Sequence, residues 1–252
     1  MNVTRFLSAI AICLLTAGVL AGGAGSDASN PARVPVVVEL FTSEGCSSCP
    51  PADAMLIDLE RQPIPGAEVI VLGEHVDYWN RLGWNDRFSA SQLSDRQSRY
   101  ASRFHLESVY TPQMVINGRT EFVGNDTARA TKAIADAARP HGVPSIVISA
   151  AADSLDVKIS NAPRHSLDVI LAITESDLST QVGKGENHGR LLRHTGVVRE
   201  LRKLGATSGG QFAAQPRIAL SPEWRRQNLR AIVFLQEPTS WEIAGAAQVA
   251  WK

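Results

Sequence analysis

The chain has 252 residues and equal numbers of basic and acidic side chains, 25 of each, so its formal net charge at pH 7 is zero. This balance excludes binding to nucleic acid or to an anionic membrane through bulk charge. Hydrophobic residues make up 44% of the sequence, which is enough for a large buried core and excludes a mainly disordered chain.

The first 24 residues have the pattern of a secretory signal peptide. Arg5 precedes an apolar stretch at residues 6–20, and the small residues 21–24 follow it. The stretch is shorter than the ~20 residues that a membrane-spanning helix needs, so an uncleaved anchor is the weaker alternative. Cleavage would also remove Cys13. We therefore predict a periplasmic or secreted protein without a stable membrane span after cleavage, in a compartment where paired thiols can form a disulfide.

Residues 25–33 form a polar spacer, and strands and helices are predicted to alternate over residues 34–142. A valine-rich run is typical of a buried strand, Pro50 and Pro51 fit the first turn of a following helix, and Asn117-Gly118 predicts a hairpin turn. The predicted elements are a strand at 34–41, a helix at 50–61, a strand at 68–72, a helix at 86–104, hairpin strands at 113–116 and 120–123, and a helix at 126–139. This order predicts an α/β domain with a central mixed sheet flanked by helices.

Residues 143–252 have a different pattern. Short runs with alternating apolar residues, separated by turn residues, predict a β-sandwich-like C-terminal domain. The predicted strands lie at 145–150, 155–160, 167–174, 231–236 and 241–250. The polar, glycine-punctuated residues 183–196, which include Glu186, Asn187 and His194, are predicted to be a solvated loop or a loop that contacts the other domain.

Cys46 and Cys49 form a Cys-Ser-Ser-Cys motif between the first predicted strand and the first predicted helix. Unpaired N–H groups and the positive end of the helix dipole stabilise a thiolate at such a position. Cys46, as the residue nearer the turn and the solvent, is predicted to attack a substrate disulfide, and Cys49 to resolve the mixed disulfide. The alternative is an inert disulfide that only staples the turn. Such a small loop gives little entropic stabilisation, which favours the redox interpretation.

Several longer motifs surround this pair. They are the run Glu39–Asp53, the segment His75-Val-Asp-Tyr-Trp79, Gly83-Trp84, the run Val109–Gly118 and Gly185-Glu-Asn187. In these motifs the sequence resembles the family called domain of unknown function 1223, which is placed in the thioredoxin-like superfamily. The resemblance implies a thioredoxin-like domain over residues 34–142 and a redox site, but no known substrate.

The resemblance also gives a role to Thr111 and Pro112. In the thioredoxin-like superfamily, a cis-proline loop lies against the cysteine pair and helps to bind the backbone of the partner. A cis X-Pro bond is a minority state, so only the resemblance implies it here.

His75, Asp77 and Trp79 are candidate assisting residues because they follow the second predicted strand. His75 could act as a base for thiol chemistry, or join the two cysteines as a ligand for Cu(I) or zinc. A histidine that only orients the loop through a hydrogen bond is the more common case. Trp79 could help to hold a client polypeptide beside the cysteines, but aromatic residues in such a place are more often core or loop anchors.

These observations lead to one main hypothesis and one alternative. The main hypothesis is an exported thiol–disulfide oxidoreductase whose partners are protein thiols or disulfides, or a redox partner protein. It would need no cofactor beyond the Cys46–Cys49 disulfide and no metal. The alternative is a non-enzymatic module that binds Cu(I) or another metal, or that binds proteins and carries a structural disulfide.

Overall fold

The valine-rich run after residue 33 forms the strand β1, at the centre of the first part of the molecule. The computed structural model of the protein describes residues 33–139 and 142–251, together with Met1. Residues 2–32, which include the predicted signal sequence after Met1, lie outside the described residues. From residue 33 on, the described residues belong to one compact unit.

Helices and strands alternate up to residue 137. The elements are β1 (Val34–Thr42), α1 (Pro50–Arg61), β2 (Ala67–His75), α2 (Ser91–Arg103), β3 (Gln113–Ile116), β4 (Thr120–Val123) and α3 (Thr127–Ala137). β1 and β2 are parallel, whereas β3 is antiparallel to β1 and to β4. Because parallel strands end at the same edge of a sheet, Thr42 and His75 are register partners at the edge where the cysteine motif begins.

Alternation along β1 explains the layers on either side of it. Val36, Val38 and Leu40 pack with Leu56 of α1 and Ile134 of α3 on one face of the sheet. The residues between them point to the other face, which α2 covers. Both faces are thus buried, as the nearly continuous apolar run predicts.

On the α2 face, β1 and β2 bury two glutamates against one arginine. Nη2 of Arg96 is 2.6 Å from Oε1 of Glu39, and Nε of Arg96 is 3.4 Å from Oε1 of Glu74. Burial raises the pKa of Glu74 well above its ordinary value, and the neighbouring Glu39 acts in the same direction. The pair of Arg96 and Glu39 therefore fixes α2 to the sheet by charge, and Glu74 lies beside this pair.

The second predicted helix begins later than expected, at Ser91 rather than at residue 86. Asp86 is in the preceding loop, where its carboxylate accepts the backbone N–H groups of Glu44 and Phe88. Ala90, the residue before the helix, has extended backbone angles. The carboxylate of Asp86 thus stabilises a loop before the helix. The polar sequence of this segment predicted a helix instead.

The rest of the chain is mainly strands. They are β5 (Ser145–Ala151), β6 (Ser154–Ser160), β7 (Asp168–Glu175), β8 (Leu178–Gln181), β9 (Leu191–His194), β10 (Val197–Ala206), β11 (Phe212–Ala214), β12 (Leu229–Gln236) and β13 (Ile243–Ala250). β8, β9, β10 and β11 were not predicted as strands. β10 has many charged residues, which obscure the apolar alternation of a strand.

The two parts of the chain share one eight-stranded mixed sheet, with the order β13-β12-β7-β10-β2-β1-β3-β4. The predicted boundary at 142/143 therefore marks a change in the sequence pattern. The large sheet continues across it, because β2 pairs with β10. A three-stranded sheet, β11-β6-β5, lies over the C-terminal half of the large sheet, and Leu155 and Val157 of β6 pack with Leu171 and Val233. This face-to-face arrangement gives the C-terminal part its sandwich-like character.

Glycine allows the close approach where β2 meets β10. The N–H of Gly73 donates to the carbonyl of Gly196 at 2.7 Å, and Gly73 is the register partner of Val197. A Cβ atom on Gly73 would lie 2.9 Å from the carbonyl oxygen of Thr195, and Gly196 has a φ of 56°. Side chains at these two positions would separate the halves of the sheet.

Candidate functional site

Cys46 and Cys49 form a disulfide in the turn between β1 and α1, with their Cα atoms 5.4 Å apart. Cys49 immediately precedes α1, and its carbonyl accepts the N–H groups of Ala52 and Asp53 in the first helical turn. Pro50 and Pro51 fill the first helical positions, where a missing N–H costs little. The sequence therefore places the motif at a helix start, as predicted.

The expected exposure of Cys46 is wrong. Cys46 and Cys49 both have 0% relative exposure, whereas Ser47 and Ser48 between them are exposed. The hydroxyl of Ser48 donates to Sγ of Cys46 over 3.4 Å. Cys46 is covered in part by a loop from the C-terminal part of the chain, whose Asn187 hydrogen-bonds to the Cys46 carbonyl.

Thr111 and Pro112 are joined by a cis peptide bond, as the resemblance implied. Gln113, the next residue, is the register partner of Phe41 in β1, which places Pro112 at the sheet edge where the cysteine turn begins. The indole N–H of Trp79 donates to the Thr111 hydroxyl at 2.8 Å. Trp79 also lies against Gly45, because a Cβ atom added to Gly45 would be 3.2 Å from Cβ of Trp79. Trp79 thus joins the proline loop to the cysteine turn.

His75 is buried and is connected to the cysteine turn through Asp86. Its Nδ1 is 2.7 Å from Oδ2 of Asp86, and the same carboxylate oxygen accepts the N–H of Glu44. Burial would raise the pKa of Asp86, but His75 and the N–H groups of Glu44 and Phe88 lower it to about 2. His75 therefore acts on the turn through Asp86 and Glu44.

Asp77 does not join this site. Its carboxylate accepts the hydroxyl of Ser94 at 2.6 Å, and its N–H donates to the same hydroxyl. Asp77 thus fixes the loop after β2 to α2.

Two acidic residues and a histidine are buried close together near the disulfide. Glu44 and Asp53 flank the cysteine motif in sequence, and His194 is the last residue of β9. Nε2 of His194 is 3.4 Å from Oε1 of Glu44, and its Nδ1 is 4.0 Å from Oδ1 of Asp53. Within the described part of the chain, neither ring nitrogen of His194 makes a hydrogen bond, and neither does Oδ2 of Asp53. Such uncompensated polar atoms are uncommon in a protein interior.

Asp53 is the most perturbed carboxyl group of this cluster. Burial raises its pKa to about 7, the carboxylates of Asp86 and Glu44 act in the same direction, and His194 opposes them. Glu44 is held differently, because its Oε2 accepts the indole N–H of Trp84 at 2.7 Å. Near neutral pH, Asp53 can thus change its protonation state beside the disulfide.

The loop between β8 and β9 completes the site. The side-chain amide of Asn187 donates to the carbonyls of Glu44 and Cys46, at 2.9 and 2.8 Å. The N–H of Ser47 donates to Oε2 of Glu186 at 3.2 Å. These residues and His194 were not predicted as site residues. The one sequence signal was the Gly185-Glu-Asn187 motif in the family resemblance, since the contacts join residues about 140 positions apart.

Two features are absent from the described residues. No group of three or more His, Cys, Asp or Glu side chains is arranged to hold a metal ion. No helix in residues 33–139 or 142–251 is long and apolar enough to cross a membrane.

The fold and the site define an α/β protein with a large mixed sheet and a Cys-x-x-Cys disulfide at a strand-to-helix turn. The chain belongs to the family described as protein of unknown function (DUF1223), whose pattern matches residues 37–236. A comparison with curated proteins gave no match.

Two solved structures are similar to this chain. The crystal structure of protein AGR_C_4864 from Agrobacterium tumefaciens is 27% identical, with a TM-score of 0.72 over 88% of this chain and 96% of the other. HBP35 of Porphyromonas gingivalis is 16% identical, with a TM-score of 0.56 over 86% of this chain and 75% of the other. At that identity the second likeness concerns the fold alone.

Proposed function

We propose that this protein is an exported thiol–disulfide oxidoreductase that acts on protein clients through Cys46 and Cys49. The observation that carries the proposal is the disulfide in the turn between a buried strand and the start of a helix. Cysteines in this position form a thiolate more readily than free cysteine does, because N–H groups and the helix dipole favour the negative charge.

Further observations support a thioredoxin-like interpretation of the first part of the chain. β1 and β2 are parallel, β3 and β4 form an antiparallel hairpin, and helices cover both faces of the sheet. A cis proline lies at the same sheet edge as the cysteine turn. We propose that Thr111 and Pro112 bind the extended backbone of the client, and that Trp79 supports them. The pattern of the first 24 residues favours a periplasmic or secreted location.

The proposed reaction starts from the reduced protein. The Cys46 thiolate attacks one sulfur of a client disulfide, which forms a mixed disulfide and releases the other client sulfur as a thiolate. The Cys49 sulfur, after losing its proton, then attacks Cys46 and releases the second client sulfur. Two electrons pass from the two cysteines to the client, and the two cysteine protons end on the client thiols. The reverse sequence oxidises a client dithiol.

Trapping of the mixed disulfide tests this assignment. Cys49→Ser leaves Cys46 without a resolving thiol, so we expect this variant to accumulate a mixed disulfide with oxidised glutathione or with a disulfide-containing protein. Cys46→Ser is the matched control, and we expect it to trap far less. Intact-mass spectrometry under non-reducing conditions measures both. Equal trapping by the two variants would contradict the assigned roles.

A structural disulfide in a protein-interaction module is the second candidate, because both cysteines have 0% exposure. Equilibration of the wild-type protein with reduced and oxidised glutathione distinguishes the two functions. A reduction potential well below about −300 mV, with no thiolate near neutral pH, would indicate a structural disulfide and refute the enzyme.

The Cu(I) alternative would depend on the two sulfurs, because the described residues hold no group of three or more His, Cys, Asp or Glu side chains that could bind a metal ion. A Cu(I) titration of the reduced protein, compared with Cys46→Ser, measures that alternative.

A further inference from the structure

The loop that follows β8 is fixed to the cysteine turn by one fully buried amide. Asn187 has 0% exposure and bridges the carbonyls of Glu44 and Cys46. The guanidinium of Arg190 donates to Oδ1 of Asn187 at 3.0 Å, which fixes which end of the amide faces the turn. Because the amide nitrogen can only donate, it holds the two carbonyls on the inner side of the turn.

This anchor places the side chain of Glu186 at the turn. Its Oε2 accepts the N–H of Ser47, the residue between Cys46 and Ser48. Hydrogen bonds from the hydroxyl and the backbone of Ser47 lower the pKa of Glu186 below its ordinary value. Glu186 is exposed and therefore carries a negative charge throughout the neutral pH range.

A carboxylate at this N–H opposes formation of a thiolate at the turn. Backbone N–H groups near the first cysteine stabilise its thiolate, and here one of them is already taken by an anion. The negative charge of Glu186 also repels a second negative charge nearby. Both effects shift the equilibrium of a reduced Cys46 toward its thiol form, relative to the same turn without this carboxylate.

We infer that Glu186 tunes the redox pair. Its carboxylate, held in place by Asn187, disfavours the Cys46 thiolate and makes the reduced pair a stronger reductant than the same pair would be without this charge. The direction follows because a pair becomes a stronger oxidant when its reduced thiolate is stabilised, and a stronger reductant when it is not. The inference rests on the proposed function and adds a direction to it. Glu186 is a tuning residue and takes no part in the bond changes.

Other charged and titratable groups also surround the turn. They come from the turn itself, α1, β2, the loop before α2, the loop before β9, and β9, and they are Glu44, Asp53, His75, Asp86, Arg190 and His194. All of them stay in place when Glu186 alone is changed. A difference between the wild-type protein and a Glu186 variant therefore reports on the Glu186 charge.

Glu186→Gln is the main test because glutamine keeps an oxygen that can accept the Ser47 N–H and removes the charge. We measure the fraction of dithiol at equilibrium with glutathione, and the pH profile of Cys46 alkylation by iodoacetamide in a Cys49→Ser background. For a charge at an exposed position, we expect a two- to fivefold shift of the glutathione equilibrium toward the dithiol, on the order of the effect of a surface charge pair. The alkylation profile should move to lower pH, and the difference should shrink in 1 M salt.

Two matched variants show whether the charge or the contact is responsible. Glu186→Asp keeps the charge and should stay close to the wild-type protein in both assays. Asp153→Asn removes an exposed carboxylate from the turn between β5 and β6, and should have no effect.

Failure of the inference and failure of the proposed function give different results. If the wild-type pair equilibrates with glutathione and Glu186→Gln has the same equilibrium constant and pH profile, the tuning role is wrong and the oxidoreductase stands. If the wild-type pair does not exchange with glutathione, both are wrong. A shift of equal size in Glu186→Asp would overturn the charge argument, because that variant keeps the carboxylate.

Discussion

Asp53 gives the sharpest test of the electrostatics around the disulfide. Burial raises the pKa of this carboxyl group to about 7 in the folded protein, whereas a carboxyl group of this type in an unfolded chain has a pKa of about 3.9. The unfolded state therefore loses its proton first as the pH rises. The stabilisation that Asp53 gives to the fold is complete below the unfolded pKa and is lost as the pH rises through the folded pKa.

The size of this effect follows from linkage. Each pH unit between the two pKa values costs about 1.4 kcal/mol, and the cost levels off above the folded pKa. Between pH 5 and pH 8, ionisation of Asp53 should therefore lower the free energy of unfolding by about 3 kcal/mol. The side chain is buried, so solvent screening reduces this figure little.

Asp53→Asn removes the titration and keeps the shape of the side chain. The new amide group also changes the free energy of unfolding by an amount that does not depend on pH. It replaces Oδ2 of Asp53, which has no hydrogen-bond partner among the described residues. We expect the stability of the variant relative to the wild-type protein to rise by about 3 kcal/mol from pH 5 to pH 8.

Urea unfolding of the oxidised proteins at several pH values measures this difference. Asp136→Asn, on the exposed surface of α3, is the matched control and should follow the wild-type protein above pH 5. Parallel pH profiles for Asp53→Asn and the wild-type protein would refute the reasoning.

Two further predictions concern the framework. Arg96→Met leaves Glu39 as a buried, unpaired carboxylate and should lower the free energy of unfolding by about 3 to 5 kcal/mol. Arg99→Met, at an exposed position of the same helix, should change it far less. Urea unfolding at pH 7 measures both variants, and equal effects would contradict the buried ion pair. Gly73→Ala should cost about 1 to 3 kcal/mol, because its Cβ would meet a backbone carbonyl oxygen at 2.9 Å. Gly142→Ala should stay within about 1 kcal/mol of the wild-type protein, because its Cβ would have no atom of the described residues within 4 Å. Thermal unfolding that ranks the two variants the other way would be evidence against a tight β2–β10 junction.

Local patterns predicted the elements around the cysteine turn well. The valines of β1, the prolines at the start of α1 and the Asn117-Gly118 turn act through neighbouring residues, so their signals are present in short stretches of sequence. The start of α2 was predicted too early because Asp86 bonds to Glu44, a residue 42 positions away. No local pattern contains that contact.

The residues that cover the disulfide could not be predicted from short stretches of sequence for the same reason. Asn187 contacts the Cys46 carbonyl across 141 positions, and the pairing of β2 with β10 is what brings its segment there. β10 itself was not predicted, because charged residues interrupt its apolar pattern. Residues 183–196 were predicted as a solvated loop or as a loop that contacts the other domain, and the second alternative holds, but no local pattern placed the contact at Cys46.

This dependence on β10 makes the C-terminal part of the chain a component of the site. His194 of β9 lies beside the buried Glu44 and Asp53, three residues before the junction at Val197. Asn187 and Glu186 hydrogen-bond to the backbone of the same turn. The first 142 residues contain both cysteines and the helix start, but they lack the Asn187 and Glu186 side chains that hydrogen-bond to the cysteine turn. The surroundings of the Cys-Ser-Ser-Cys motif in this protein are therefore built by residues from both halves of the shared sheet.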